Sequence, residues 1–127
     1  MSCIILGDSI AQLSSTELPQ CEVVAVKGIS SESFNRFCRV SVDGKTVVIS
    51  LGSNRGNDTV KNLIRIRNRI TNGTVLWVLP AKVEDRKNVI QAVKPYDKVV
   101  TFTPGKDGIH PKYPSLLKEA ILKKISL

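Results

Sequence analysis

The chain contains one histidine, His110, and that scarcity excludes any site that needs two imidazoles. No apolar run approaches the roughly 20 residues of a membrane span. The opening Met1-Ser2-Cys3-Ile4-Ile5-Leu6-Gly7-Asp8 lacks a basic stretch ahead of its apolar residues and meets a charge at Asp8. A secretory leader does not read that way, so a cytoplasmic protein is the expectation. No glycine-rich loop followed by lysine occurs, which argues against a nucleotide hydrolase. Aromatics are 5% of the chain, and Trp77 and Tyr96 offer no stacking platform; Trp77 falls within an apolar run and reads as core. Cysteines are few, odd in number and without metal-ligand spacing: Cys3, Cys21 and Cys38. They are expected to be reduced and to behave as small hydrophobes. Neither a metal nor a cofactor is implied.

What remains is 127 residues, 42% hydrophobic and 24% charged, which is one domain over 1–127 with enough chain to bury a real core. The net charge of +8 is lopsided. Residues 1–50 hold 4 Lys/Arg against 5 Asp/Glu, a balance of −1, and residues 51–127 hold 15 against 6, a balance of +9. Such a field draws anionic partners, although a merely solubilising surface has the same composition.

Short apolar runs alternate with amphipathic stretches. The strands are predicted at Cys3–Leu6, Glu22–Val26, Thr46–Leu51, Thr74–Leu79 and Lys98–Phe102. Most are continuous Val/Ile/Leu runs, the pattern of strands covered on both faces. Between them, Ser30 or Ser31 caps a helix carrying Phe34, Phe37 and Cys38 inward. Asp58 caps a second, which ends at Asn72-Gly73. A third covers about Glu84–Val93, and a fourth starts at Pro114 with Leu117, Ala120, Ile121 and Ile125 inward. A short helical turn follows Ser9. The stretch Val40–Val47 also fits a hairpin around Asp43-Gly44, and a loop is the preferred reading. Strand–helix repetition of this kind predicts an α/β fold with a parallel sheet between two helical layers.

In open parallel sheets, ligands sit at the carboxyl ends of strands, near the point where strand order reverses. Gly7-Asp8-Ser9-Ile10, Gly52-Ser53-Asn54 and Asp107-Gly108-Ile109-His110 follow strands 1, 3 and 5, and Lys27-Gly28-Ile29-Ser30 follows strand 2. The inventory suits acyl transfer. A serine hydroxyl needs a base to take its proton, and a carboxylate must hold the imidazole in the right tautomer. Ser9, His110 and Asp107 supply these types. The Asn54 amide and the backbone N–H groups of Ser9 and Gly28 are candidate donors to an oxyanion. Asp8, within the first of these segments, and Arg55, directly after Asn54, are weaker candidates for contact with substrate.

Gly7-Asp8-Ser9-Ile10 resembles the opening block of the SGNH/GDSL hydrolases. Gly28 falls at their second-block glycine, Gly52-Ser53-Asn54 at their Gly-x-Asn, and Asp107-Gly108-Ile109-His110-Pro111 at their closing Asp-x-x-His. The resemblance runs in order from residue 4 to the last helix. It implies a flavodoxin-like three-layer αβα sandwich, a five-stranded parallel sheet of order 2-1-3-4-5, and ester hydrolysis through an acyl-serine. It also implies Ser9 as nucleophile, His110 as base, Asp107 as its orienter, and Ser9, Gly28 and Asn54 as the oxyanion hole. Arg55 stands where the family usually has aspartate, and Gly56-Asn57-Asp58 offers a second candidate third block. The chain is short for the family, which favours an open pocket and small acyl groups, acetyl on a carbohydrate among them.

A second class of reading is a non-catalytic module on the same fold that binds nucleic acid or another polyanion. Lys61, Arg65 and Arg69 recur every four residues and form a basic ridge opposite Val60, Leu63, Ile64, Ile66 and Ile70. An anionic polymer could dock there, and a solvated outer face is the plainer explanation. Arg67 falls inside the apolar stripe, where its stem is expected on the core edge and its head in water.

Overall fold

The computed structural model describes residues 3–12, 18, 20–39, 42 and 44–125. Three runs rich in Val, Ile and Leu make the centre of the sheet: β1 (Cys3–Gly7), β3 (Thr46–Ser50) and β4 (Val75–Val78). β2 (Glu22–Ala25) and β5 (Lys98–Val100) are the edges. All pairs are parallel, and the order is β2-β1-β3-β4-β5. The central strands are buried almost throughout, whereas Glu22 and Val23 on β2 are exposed. Continuous apolar runs therefore mark the strands that helices cover on both faces.

Alternation along each strand sends side chains to two cores. On one face Ile4, Leu6, Val47, Ile49, Val75 and Trp77 pack with residues of three helices. These are Phe34 of α1 (Ser31–Phe37), Leu63 and Ile66 of α2 (Thr59–Asn68), and Val89 of α3 (Val83–Ile90). On the other face Ile5, Val48, Leu76 and Val78 meet Ile10 and Ala11, together with Leu117, Ile121 and Ile125 of α4 (Pro114–Ile125). The result is the three-layer αβα sandwich. Each fully buried Ile, Leu or Phe contributes roughly 1.5–3 kcal/mol.

The helices begin much as their caps foretell and end sooner. Ser30 is the N-cap of α1, its Oγ accepting from the Ser33 N–H. Phe37, expected inward, is 73% exposed, because α1 is only seven residues long and Cys38 already closes it. Asp58 occupies the cap position of α2 in the left-handed region (φ 52°) but its side chain makes no cap bond; the Thr59 Oγ1 donates to the Gly56 carbonyl instead. α2 stops at Asn68 rather than Asn72, and Ile64 is exposed while Asn62 takes a buried place. α3 ends at Ile90, three residues before the expected Val93. The hairpin reading of Val40–Val47 falls partly on residues 40, 41 and 43, which lie outside the described residues; β3 itself pairs in parallel on both sides.

Two expectations are overturned. Cys3 and Cys21 are joined in a disulfide, leaving Cys38 as the free thiol. The register explains it: Ile4 lies opposite Glu22, so the residues just before them are also opposite, with their Cα atoms 4.8 Å apart. Arg67 does not reach water. Its guanidinium makes a two-pronged bond to Asp97, both contacts at 2.8 Å, and both side chains are largely buried. Trp77 Nε1 donates to the same carboxylate at 2.9 Å. A buried indole N–H and a buried guanidinium need one acceptor, and the turn before β5 supplies it.

Candidate active site

The chain leaves β1 through a constriction only glycine passes. A Cβ on Gly7 would lie 2.0 Å from the Ser50 carbonyl oxygen. Beyond it the Asp8 N–H donates to that same carbonyl at 3.0 Å, and the Gly7 carbonyl accepts from the Val26 N–H at 3.0 Å. The turn is thus bolted to both neighbouring strands. Ser9 then opens a helical turn over residues 9–12. Asp8 points inward and is fully buried. Its Oδ1 accepts from the Ile10 N–H at 3.0 Å, and its Oδ2 has no partner among the described residues. Burial pushes its pKa up to about 6, against the pull of backbone N–H groups and the charge of His110. Asp8 therefore supports the nucleophile from beneath and is not placed to touch substrate.

His110 arrives on the loop between β5 and α4. The neck of that loop is closed by the Pro104–Pro111 bridge, with the Gly105 N–H donating to the His110 carbonyl at 2.8 Å and the Lys112 N–H to the Thr103 carbonyl at 2.9 Å. At its tip, Asp107 Oδ1 accepts from the Ile109 and His110 N–H groups, both at 2.9 Å. Asp107 Oδ2 lies 2.5 Å from His110 Nδ1. The bond to His110, reinforced by the two backbone donors, holds the Asp107 carboxyl well below the usual carboxylate range. An ionised Asp107 only accepts, so Nδ1 carries the proton and Nε2 is the basic nitrogen. His110 Nε2 lies 2.8 Å from Ser9 Oγ. Serine, histidine and aspartate, 101 residues apart at their widest pairwise bond, thus stand in line at the carboxyl edge of the sheet.

The candidate oxyanion donors converge on the same edge. Gly28 sits in the turn closed by the Ile29 N–H to the Val26 carbonyl, with φ +77° and open space where a Cβ would be. Neither the Ser9 nor the Gly28 N–H donates to an acceptor among the described residues. Asn54 Nδ2 donates to the Ile29 carbonyl at 3.2 Å, which ties the loop after β3 to the loop after β2 and leaves one amide hydrogen. Asn57 is exposed further out, its carbonyl accepting from Asn62 Nδ2. Arg55 is engaged elsewhere: Nε with Asp85 at 3.1 Å and Nη2 with Glu84 at 2.8 Å, at the start of α3.

The basic ridge on α2 is incomplete. Lys61 and Arg65 are exposed, but Arg69 turns inward to the Asn35 side chain and the Asn35 and Cys38 carbonyls, bracing α2 against α1. Four groups were not foreseen as parts of this framework: the Ile29 carbonyl, the Glu84–Asp85 pair, Asp97, and the disulfide. None of them had a local signal in the sequence; even the disulfide follows only from the register of β1 against β2.

No protein-family model matches the chain, and no curated protein matches it. Two solved structures are similar. The C-terminal catalytic domain of Streptococcus pneumoniae peptidoglycan O-acetyltransferase A, solved with a methylsulfonyl adduct, has a TM-score of 0.66 at 18% identity, covering 98% of this chain and 94% of that one. A Bacteroides fragilis protein assigned as an acylhydrolase has a TM-score of 0.65 at 16% identity, covering 98% and 86%. These likenesses, at 18% and 16% identity, show the fold alone, the three-layer αβα sandwich with its parallel sheet. No helix among the described residues is long and apolar enough to cross a membrane.

Proposed function

We propose that this chain is a serine esterase that removes small acyl groups, acetyl foremost, from an alcohol such as a sugar hydroxyl. The observation that carries the reading is the Ser9–His110–Asp107 line, with contacts of 2.8 and 2.5 Å. Ser9 Oγ attacks the acyl carbon as Nε2 takes the hydroxyl proton. Charge gathers on the former carbonyl oxygen, where the N–H groups of Ser9 and Gly28 and the remaining Asn54 hydrogen are free to meet it. The C–O bond to the alcohol then breaks, and the alcohol leaves with the proton from Nε2. Water attacks the acyl-serine with Nε2 again as base, which releases the carboxylic acid and restores Ser9. Asp107 stays ionised throughout and steadies the imidazolium.

A second acceptor is favoured by one specific likeness, the acetyltransferase domain covered over 94% of its length. The same acyl-serine would pass its acetyl to a sugar hydroxyl in place of water. Purified protein should hydrolyse 4-nitrophenyl acetate and be labelled by a fluorophosphonate, and Ser9→Ala should lose both while keeping its fold. Loss of a triad nucleophile costs on the order of 10⁴ in turnover or more. Near-wild-type hydrolysis by folded Ser9→Ala refutes the esterase. Faster release of nitrophenol on adding a sugar acceptor, with an acetylated sugar as product, assigns transfer instead.

A further inference from the structure

We propose that Arg55 is a positioning residue: clamped to Glu84 and Asp85 on α3, it fixes the loop after β3 so that the Asn54 amide is aimed at the oxyanion. This rests on the esterase reading above and on Asn54 as one of its oxyanion donors. Such a donor works only if it is already aimed when charge develops, and a displacement of about 1 Å can cost a hundredfold in rate. Asn54 and Arg55 are chain neighbours with Cα atoms about 3.8 Å apart, so what anchors one anchors the other.

The segment that carries Asn54 has no ladder of its own. Residues 53–55 make no backbone–backbone hydrogen bond among the described residues, so side chains set their path. The loop is pinned by close approaches on either side of them. A Cβ on Gly52 would lie 2.6 Å from Val89 Cγ2 on α3, and one on Gly56 would lie 2.9 Å from Ser30 at the cap of α1. Between these pins, Asn54 Nδ2 donates to the Ile29 carbonyl at 3.2 Å, which draws the loop towards β2.

Arg55 supplies the opposing tie. Its Nε donates to Asp85 Oδ1 at 3.1 Å and its Nη2 to Glu84 Oε2 at 2.8 Å, both in the first turn of α3. Two bonds from one planar guanidinium fix its direction as well as its distance. The anchor is firm, because the Asp85 side chain is only 4% exposed, on a helix whose Val89 lies in the core. Arg55 itself is 61% exposed and adds little to that core. A carboxylate at position 55 would face two like charges and could not hold the loop this way.

The experiment is a double-mutant cycle on hydrolysis of 4-nitrophenyl acetate, with urea unfolding of each variant alongside. Arg55→Ala should lower kcat about tenfold with KM unchanged. Glu84→Gln/Asp85→Asn, which leaves Arg55 in place but unclamped, should do the same. Where Asn54→Ala has already removed the amide, at a loss of roughly 10²–10³, neither change should have any further effect. If Arg55→Ala fails to fold, Arg55→Ala/Asp85→Asn, which strands no buried charge, takes its place in the cycle. An equal loss with and without Asn54 makes Arg55 merely structural, and a rise in KM that persists without Asn54 makes it a substrate contact. Either result, or wild-type kcat in the Arg55 and unclamped variants or in Asn54→Ala, overturns the proposal and leaves the esterase standing. Absence of Ser9-dependent hydrolysis overturns the esterase reading itself, and this proposal with it.

Discussion

Asp8→Asn should make the protein more stable at neutral pH and should flatten its stability against acid. Asp8 is fully buried and its pKa is raised from 3.8 to about 6. Burial is the main cause, since the carboxylate loses water and gains only partial compensation from backbone donors. A folded pKa above the unfolded one means that the native state holds the proton more tightly. The associated stability is fully present below about pH 4 and is lost as pH rises through about 6. A rise of that size is worth about 3 kcal/mol between those limits. Asparagine keeps the Oδ1 acceptor for the Ile10 N–H and cannot ionise. Its amide leaves an unpaired N–H pair where Oδ2 was, an offset of roughly 1–3 kcal/mol that does not vary with pH. The difference between variant and wild type should therefore grow by about 3 kcal/mol from pH 3.5 to pH 8. Urea unfolding at both pH values, read as a double difference, measures it. Parallel stability curves would refute the buried ionisable carboxylate.

Asn54→Ala should lower kcat by roughly 10²–10³ with little change in KM, because an oxyanion contact forms mainly in the transition state, while Asn57→Ala should act mainly on stability. The reverse ranking in side-by-side kinetics moves the role to Asn57. Thiol titration of the unreduced, unfolded protein should find one free sulfhydryl, Cys38, and Cys21→Ser should cost about 3 kcal/mol on chain-entropy grounds for a closed loop of this length. Three titratable thiols would restore the reduced state. Arg67→Met should cost about 3–5 kcal/mol in denaturant unfolding, since Asp97 would remain buried without its cation. A loss under about 1 kcal/mol would mean that water reaches the carboxylate.

The disulfide also bears on the expectation of a cytoplasmic protein. Disulfides persist in oxidising compartments and are rare in the cytosol, where thiols are kept reduced. The Cys3–Cys21 bond thus weighs against that expectation, and thiol titration of protein taken from its native setting tests it.

The order and kind of elements follow from the sequence alone. Ile4-Ile5-Leu6, Val47-Val48-Ile49 and Val75-Leu76-Trp77-Val78 are apolar at every position, which suits a strand covered on both faces and no solvated helix. The four segments that carry candidate chemistry each follow a strand, so the parallel topology alone delivers them to one edge. Helix ends were less legible: α1 stops at Phe37 and α2 at Asn68, because where a helix stops depends on what its last turn packs against, which is not a local property. Tertiary structure alone decided the pairings between distant residues. Register set Cys3 against Cys21, the turn before β5 put Asp97 between Arg67 and Trp77, and the packing of α2 on α1 drew Arg69 away from the solvent ridge. Periodicity places a side chain on a face but is blind to the partner waiting there, and for a buried charge the partner decides everything.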